Sequence, residues 1–198
     1  MTERWIRTDE PTDVLGSIRS CLRTAAFVEE DPQAFKWLVL SLHSALQGAC
    51  VCHLTTTAPP LGAVNKKNAL EWIEYFDKRR DNPKEKEPKT HLMCLPGLLS
   101  AVRRPNSVGS QDSNVAVAIS DREFNLLKRF HTNIRNQFVH FAPMGWSIEV
   151  SGFPEIAELV ARIIGEMHQI GWAFRHLEPT AQDELSQKLR ILAAFKWP

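Results

Sequence analysis

A chain of 198 residues with 43% hydrophobic and 24% charged side chains can bury a full core as one domain, residues 1–198, with at most a small appendage. Lys plus Arg total 24 against 23 Asp plus Glu, a formal charge of +1. That balance excludes a global nucleic-acid coat or a polybasic membrane anchor, so any RNA or DNA site has to be local.

The first residues, MTERWIRTDEPTDVLG, scatter charges and lack an apolar core followed by small residues, so no secretory signal is expected and the protein is placed in the cytoplasm. The first predicted helix runs from Thr12 to about Glu29, with Val14, Leu15, Ile18, Cys21, Leu22, Ala25 and Phe27 or Val28 at helical spacing. Asp31 followed by Pro32 starts a second helix, since an acceptor side chain and then proline suit the first turn. From Trp37 to Val64 no Lys, Arg, Asp or Glu occurs, which meets the length requirement of a membrane span. The same stretch carries Ser41, His43, Ser44, Gln47, His53 and Thr55 to Thr57. Polar groups at that density are costly in hydrocarbon, so the run reads as the central helix of a bundle with no membrane partner.

A third helix begins near Asn65 or Asn68 and is expected to bury Leu70, Ile73 and Phe76, with Trp72 and Tyr75 flanking. It dissolves into a charged loop at about 77–90, DKRRDNPKEKEPK and its edge, whose signs nearly cancel and which reads as solvated. His91 to Val102 is a short apolar segment interrupted by Pro96-Gly97, and a second loop covers about 103–114. The β-branched run at 115–119 and the alternation Trp146, Ile148, Val150 predict a minor β-hairpin-like insertion.

Between those two pieces lies the most legible helix. Ser120 with Glu123 forms a capping-box pattern, and Leu127, Phe130, Ile134, Phe138 and Phe141 carry the apolar stripe until Pro143 and Gly145. A long helix opens at Pro154 and repeats Ile156, Leu159, Val160, Ile163, Ile164, Met167 and Ile170. A terminal amphipathic helix over Thr180 to Phe195 uses Leu185, Leu189, Ile191 and Leu192. The fold class is therefore all-α, a bundle of five or six helices with the hairpin as an insertion.

Projected as a uniform α-helix at about 100° per residue, the segment 120–141 places Leu127, His131, Ile134 and Phe138 on one face. Arg135, Asn136, Val139 and His140 turn away from it. Asn136 and His140 are an i, i+4 pair, and the long Arg135 side chain reaches the same edge. These groups suit phosphate chemistry. Histidine moves protons near neutral pH, arginine neutralises charge developing on a phosphate, and an amide orients either group. RNA needs the least further help, because its own 2′-hydroxyl can serve as nucleophile, and no metal or other cofactor is required.

The run Arg135 to His140, RNQFVH, resembles the R-x4-6-H signature of the HEPN superfamily, in which the residue after the arginine is often Asn, Asp or His. The resemblance implies an all-helical HEPN-like domain and a metal-independent endoribonuclease with Arg135, Asn136 and His140 as catalytic residues. It further implies a homodimer with two motifs facing a shared cleft, a toxin or defence role, and a cognate partner or antitoxin protein. Other HEPN-like domains are similar to catalytically inactive binding or scaffold modules, and an outward Arg-Asn-x-x-x-His face also fits a plain surface or a structural dimer seam. The chain is longer than a minimal member.

Other candidates read as structural. His43 and Gln47 could line the same cleft, but a core histidine satisfied by a neighbour is the simpler reading, and His131 reads as a packing position. Cys21, Cys50, Cys52 and Cys94 lie in apolar segments and read as reduced, buried thiols. Cys50, Cys52 and His53 have no second ligand pair at zinc spacing, so no metal is assigned. No phosphate-binding glycine loop, dinucleotide fingerprint, H-E-x-x-H or G-x-S-x-G occurs.

Overall fold

The fold is organised around one helix that has to be buried on nearly every side. A computed structural model describes residues 4–55, 61–105, 107, 116–140 and 145–195. α1 (Glu10–Ala25) starts at an Asp9 cap, whose carboxylate accepts from Thr12 N, and turns Val14, Leu15, Ile18, Cys21 and Ala25 inward. α2 (Ala34–Leu54) follows and buries residues around its whole circumference. It is long and apolar enough to cross a membrane by length and composition, yet 67% of its apolar window is covered by its neighbours.

The α1–α2 pairing is the most extensive in the molecule, and Gly48 permits it. A Cβ at Gly48 would lie 2.8 Å from Val14 Cγ2, too close for unperturbed packing. α2 begins at Ala34, two residues beyond the predicted start, after a turn in which Asp31 accepts from Gln33 N at 3.0 Å.

α3 (Lys66–Asp81) is capped by Asn65 and corrects two expectations. The helix continues through Asp77–Asp81, so the loop begins at Asn82. Its inner stripe is Asn68, Trp72 and Tyr75, at i, i+4 and i+7, while Leu70 and Ile73 are exposed. Asn68 decides the phase. Its amide donates to Lys89 O at 2.8 Å and to Glu71 at 2.8 Å, and its Oδ1 accepts from His91 N at 2.8 Å. A buried amide with all these bonds pins the 82–91 segment across α3, and Trp72 and Tyr75 share its face. The segment closes with an isolated antiparallel bridge between Val64 and Leu92.

α4 (Leu95–Val102) holds Pro96 in its first turn, where a missing N–H is harmless. Pro96-Gly97 therefore open the helix and do not interrupt it. Of the second loop, 103–105 and 107 are described as turn or bend, and the remainder to 114 lies outside the described residues.

No strand forms among the described residues of the predicted hairpin, 116–119 and 146–150. Side chains satisfy the backbone instead: Ala118 N donates to Glu166 at 2.9 Å, and Ala118 O accepts from Arg162 at 2.8 Å. Two charged residues of one helix do the work a partner strand would do.

α5 (Asp121–Arg129) leads into a π turn (Phe130–Arg135) and the short α6 (Asn136–Val139). α7 (Phe153–Ile170) buries the predicted stripe from Ile156 to Met167 and ends on Gly171 at φ 80°, a left-handed cap that favours glycine. α8 (Pro179–Ala193) buries Leu185, Leu189 and Leu192, but not Ile191. The described chain is thus all-α. The core joins α1, α2, α4, α5, α7 and α8.

The Asn68 clip gives the first prediction. Asn68→Ala strands the Lys89 carbonyl and the His91 amide, and is expected to lower stability by about 1–3 kcal/mol. Hydrogen exchange checks it: the His91 amide should lose protection while amides of α2 keep theirs.

Candidate active site

The motif helix is anchored at its start. Glu123 N donates to the Ser120 hydroxyl at 3.3 Å and Ser120 N donates to the Glu123 carboxylate at 2.7 Å, the reciprocal capping box. The second Glu123 oxygen pairs with Arg162 of α7 at 2.9 Å, and Leu127 and Phe130 lock the next turn into the core. From Phe130 to Arg135 the helix then widens to i→i+5 hydrogen bonding.

That π turn alters the projection made from the sequence. A wider turn spends more residues per revolution, so side chains after it lag behind their uniform-helix positions. Val139 and His140 are exposed, as the projection has them, whereas Arg135 and Asn136 are half-buried. His131 is turned toward α2.

The sequence-predicted residues divide into a pair and an outlier. Arg135 donates to Asn136 Oδ1 at 2.9 Å, so Asn136 orients the guanidinium, where the sequence reading also allowed it to orient a hydroxyl or an imidazole. Among the described residues no carboxylate lies within ion-pair distance of Arg135; its neighbours Arg122 and Arg162 on α5 and α7 do hold such partners. His140 caps α6, its backbone N donating to Asn136 O at 2.8 Å. Its ring forms no hydrogen bond with Arg135 or Asn136.

A second histidine pair lies directly behind Arg135. His43 Nε2 and His131 Nδ1 are 2.8 Å apart, and the two rings lie 5.1 Å apart at 24° to one another. His43 is 3% exposed. Burial first, then the positive charge of Arg135 and the neighbouring His131, draws its pKa down to about 3. Burial and Arg135 lower His131 as well. Both rings are therefore neutral at pH 7, and one N–H is shared along the line between them. Among the described residues His131 Nε2 has no hydrogen-bond partner, and it is not sealed from solvent.

The sequence reading weighed His43 as a satisfied core histidine, which it is, and did not connect it to His131. The i, i+4 relation of His131 to Arg135 was the available signal. Gln47 remains half-buried on α2.

On the other side of α6 is a groove of about 750 Å³ lined by Phe35, Phe138, Trp146, Ile148, Val150 and Phe153. Trp146 meets Phe138 edge-on with ring centroids 4.9 Å apart. Phe138 lies between Asn136 and His140 in the chain, so the flat-sided groove and the polar cluster share one short helix. Phe141 and Pro143 lie outside the described residues.

The cysteines are free thiols. Cys21, Cys50 and Cys52 are buried, and burial pushes Cys21 and Cys52 up to about 12 and Cys50 upward as well. Cys94 is exposed, because the α4 cap it forms faces outward. His53 Nε2 lies 2.8 Å from Ser107 Oγ. Among the described residues no group of three or more His, Cys, Asp or Glu gathers at metal-ligand reach.

Comparison with protein-family models, with curated proteins and with solved structures gave no match to this chain. The reading of the site therefore stands on its geometry.

The neutral His43 gives a prediction with a definite sign. Its pKa is lower folded than unfolded, so the unfolded chain binds the extra proton first. Its contribution is fully present above about pH 6.5 and is lost as pH falls toward about 3. Urea midpoints measured between pH 7 and pH 4 should fall, and His43→Gln should flatten that dependence. An unchanged slope in the variant would refute the assignment.

Proposed function

We propose that this chain is a metal-independent endoribonuclease, a HEPN-like homodimer that cleaves RNA through the substrate's own 2′-hydroxyl. One observation carries the reading: Arg135 presents a guanidinium with no acidic partner among the described residues, oriented by Asn136 and set beside histidines. A half-buried arginine without a carboxylate is matched by an external anion, and phosphate is the planar fork's best partner.

In the proposed reaction the 2′-oxygen attacks the adjacent phosphorus, the P–O2′ bond forms and the P–O5′ bond breaks. A proton leaves the 2′-hydroxyl and another arrives at the departing 5′-oxygen. Arg135 stabilises the charge on the phosphorane oxygens, Asn136 holds Arg135, and His140 transfers a proton at the reacting atoms. The aromatic groove beside α6 suits stacking of a neighbouring base. Two copies related by a two-fold axis would place both motifs on one cleft, covering the exposed Val139 beside His140. A ribonuclease of this kind fits a toxin or defence component controlled by a cognate partner protein.

Expected outcomes are specific. Arg135→Ala and His140→Ala should each slow RNA cleavage by about 100-fold or more, with helicity unchanged because neither side chain fills the core. A chelator should leave the rate intact, products should end in 2′,3′-cyclic phosphate and 5′-hydroxyl, and light scattering should report a dimer. Wild-type cleavage that needs an added divalent metal would overturn the mechanism. RNA left intact by purified dimer would point to the other reading, a catalytically inactive binding or scaffold module.

A further inference from the structure

Cleavage through a 2′-hydroxyl moves two protons, one off the nucleophile and one onto the leaving group, and the motif contains one histidine. The second proton-transfer group is found outside the motif. We propose that His131 is the general base that takes the 2′-hydroxyl proton, that His43 is the positioning residue that holds it in the required tautomer, and that His140 is left as the general acid. This assignment rests on the ribonuclease reading of Arg135 and His140.

Three observations place His131 in that role. It lies one turn before Arg135, on the π turn that also positions Arg135, so a phosphate held by the guanidinium brings its 2′-hydroxyl near the same edge. Its Nδ1 is engaged by His43 Nε2 at 2.8 Å, while Nε2 has no partner among the described residues and reaches solvent. Its ring is clamped against His43, 5.1 Å between centroids, and His43 is itself fixed in the core beside Phe130, 6.0 Å between centroids.

The direction of the histidine–histidine hydrogen bond decides whether this arrangement works. With His131 Nδ1–H donating to His43 Nε2, the outward Nε2 of His131 carries a lone pair and can accept a proton, giving an imidazolium that still donates to His43. With the bond reversed, Nε2 already carries its proton and cannot act as a base. His43, buried and kept neutral, can accept but does not compete for the transferred proton. It plays the orienting role that a carboxylate plays in other base–orienter pairs, without adding a negative charge.

The test uses the full-length dimer and two RNA oligonucleotides of one sequence, one ordinary and one with a sulfur bridging phosphorus and C5′ at the cleaved position. A thiolate leaves without being protonated, so that substrate removes the need for a general acid and keeps the need for a base. On ordinary RNA, His131→Ala and His140→Ala should each lose about 100-fold or more in rate. On the sulfur-bridged RNA, His140→Ala should recover most of its loss and His131→Ala should not.

His43→Leu should lower kcat with little change in KM, and His43→Gln, whose amide oxygen still accepts from Nδ1, should restore it. Nitrogen-15 spectra of the unmutated protein should show His131 protonated at Nδ1 and bare at Nε2, a readout independent of whether the variants fold. Full activity in His131→Ala beside an inactive His140→Ala would overturn this inference and leave the ribonuclease reading standing. Rescue of His131→Ala by the sulfur-bridged substrate, or the opposite tautomer, would also overturn it. A wild-type protein that cuts neither RNA would overturn both.

Discussion

A helix without a single charge beyond Lys36 has to be enclosed, and enclosing it obliges its neighbours to satisfy the polar groups it does carry. In α2 those demands select the contacts. Ser41 pairs with Ser20 of α1 at 3.2 Å, His43 with His131 of the π turn at 2.8 Å, and His53 with Ser107 at 2.8 Å. Just beyond its end, Thr55 O accepts from the Trp172 indole at 3.0 Å. Apolar packing gives each neighbour a surface to dock on, but it is non-directional. The hydrogen bonds fix where along α2 each neighbour docks, because shifting any of them strands a buried polar atom. The candidate site is thus a by-product of folding in one respect: the same His43 that would be unsatisfied in an all-apolar contact draws His131, and with it the motif, against the core.

The π turn is how the motif helix meets that demand. The capping box and the Arg162–Glu123 ion pair fix the start of α5, and Leu127 and Phe130 fix its first two turns, so the helix cannot rotate as a rigid rod to bring His131 to His43. Widening one turn lets the later residues adjust while the earlier ones stay seated. Arg135 and Asn136 come to rest half-buried and joined to each other, and only Val139 and His140 keep the full exposure that a uniform helix gives them.

Much of this was legible in the residues and some was not, for physical reasons. Helix starts were readable because caps are local: Asp9, Asn65 and Ser120 each accept from a backbone N–H three residues on. The α7 stripe was readable because it holds one apolar face only. α3 offered two apolar sets, Leu70 with Ile73 and Trp72 with Tyr75, and hydropathy does not rank them; the hydrogen bonds of Asn68 to residues 21 and 23 positions away do. The β-branched 115–119 run met strand propensity, yet Glu166 and Arg162 reached its backbone before any partner strand. Arg135, Asn136 and His140 could be picked out as a pattern, but the π turn leaves no mark in composition. The histidine behind them, 88 positions from His43, is visible only once the chain is folded.

The electrostatics of the cluster follow from what Arg135 lacks. Elsewhere the exposed arginines of this region are balanced: Arg103 by Asp121, Arg122 by Glu155, and Arg162 by Glu123 and Glu166. Arg135 has an amide oxygen, which orients it without neutralising it. Its uncancelled charge is one of the two causes that lower the proton affinity of His131, so the two sites are thermodynamically linked. An anion seated on Arg135 removes part of that repulsion, and by reciprocity protonation of His131 tightens the anion. A phosphate diester would then meet a neutral imidazole on arrival and, once bound, would raise that imidazole's affinity for the proton of its own hydroxyl. The arrangement favours proton uptake at the moment the anion is in place, and a carboxylate partner for Arg135 within the chain would have abolished that dependence.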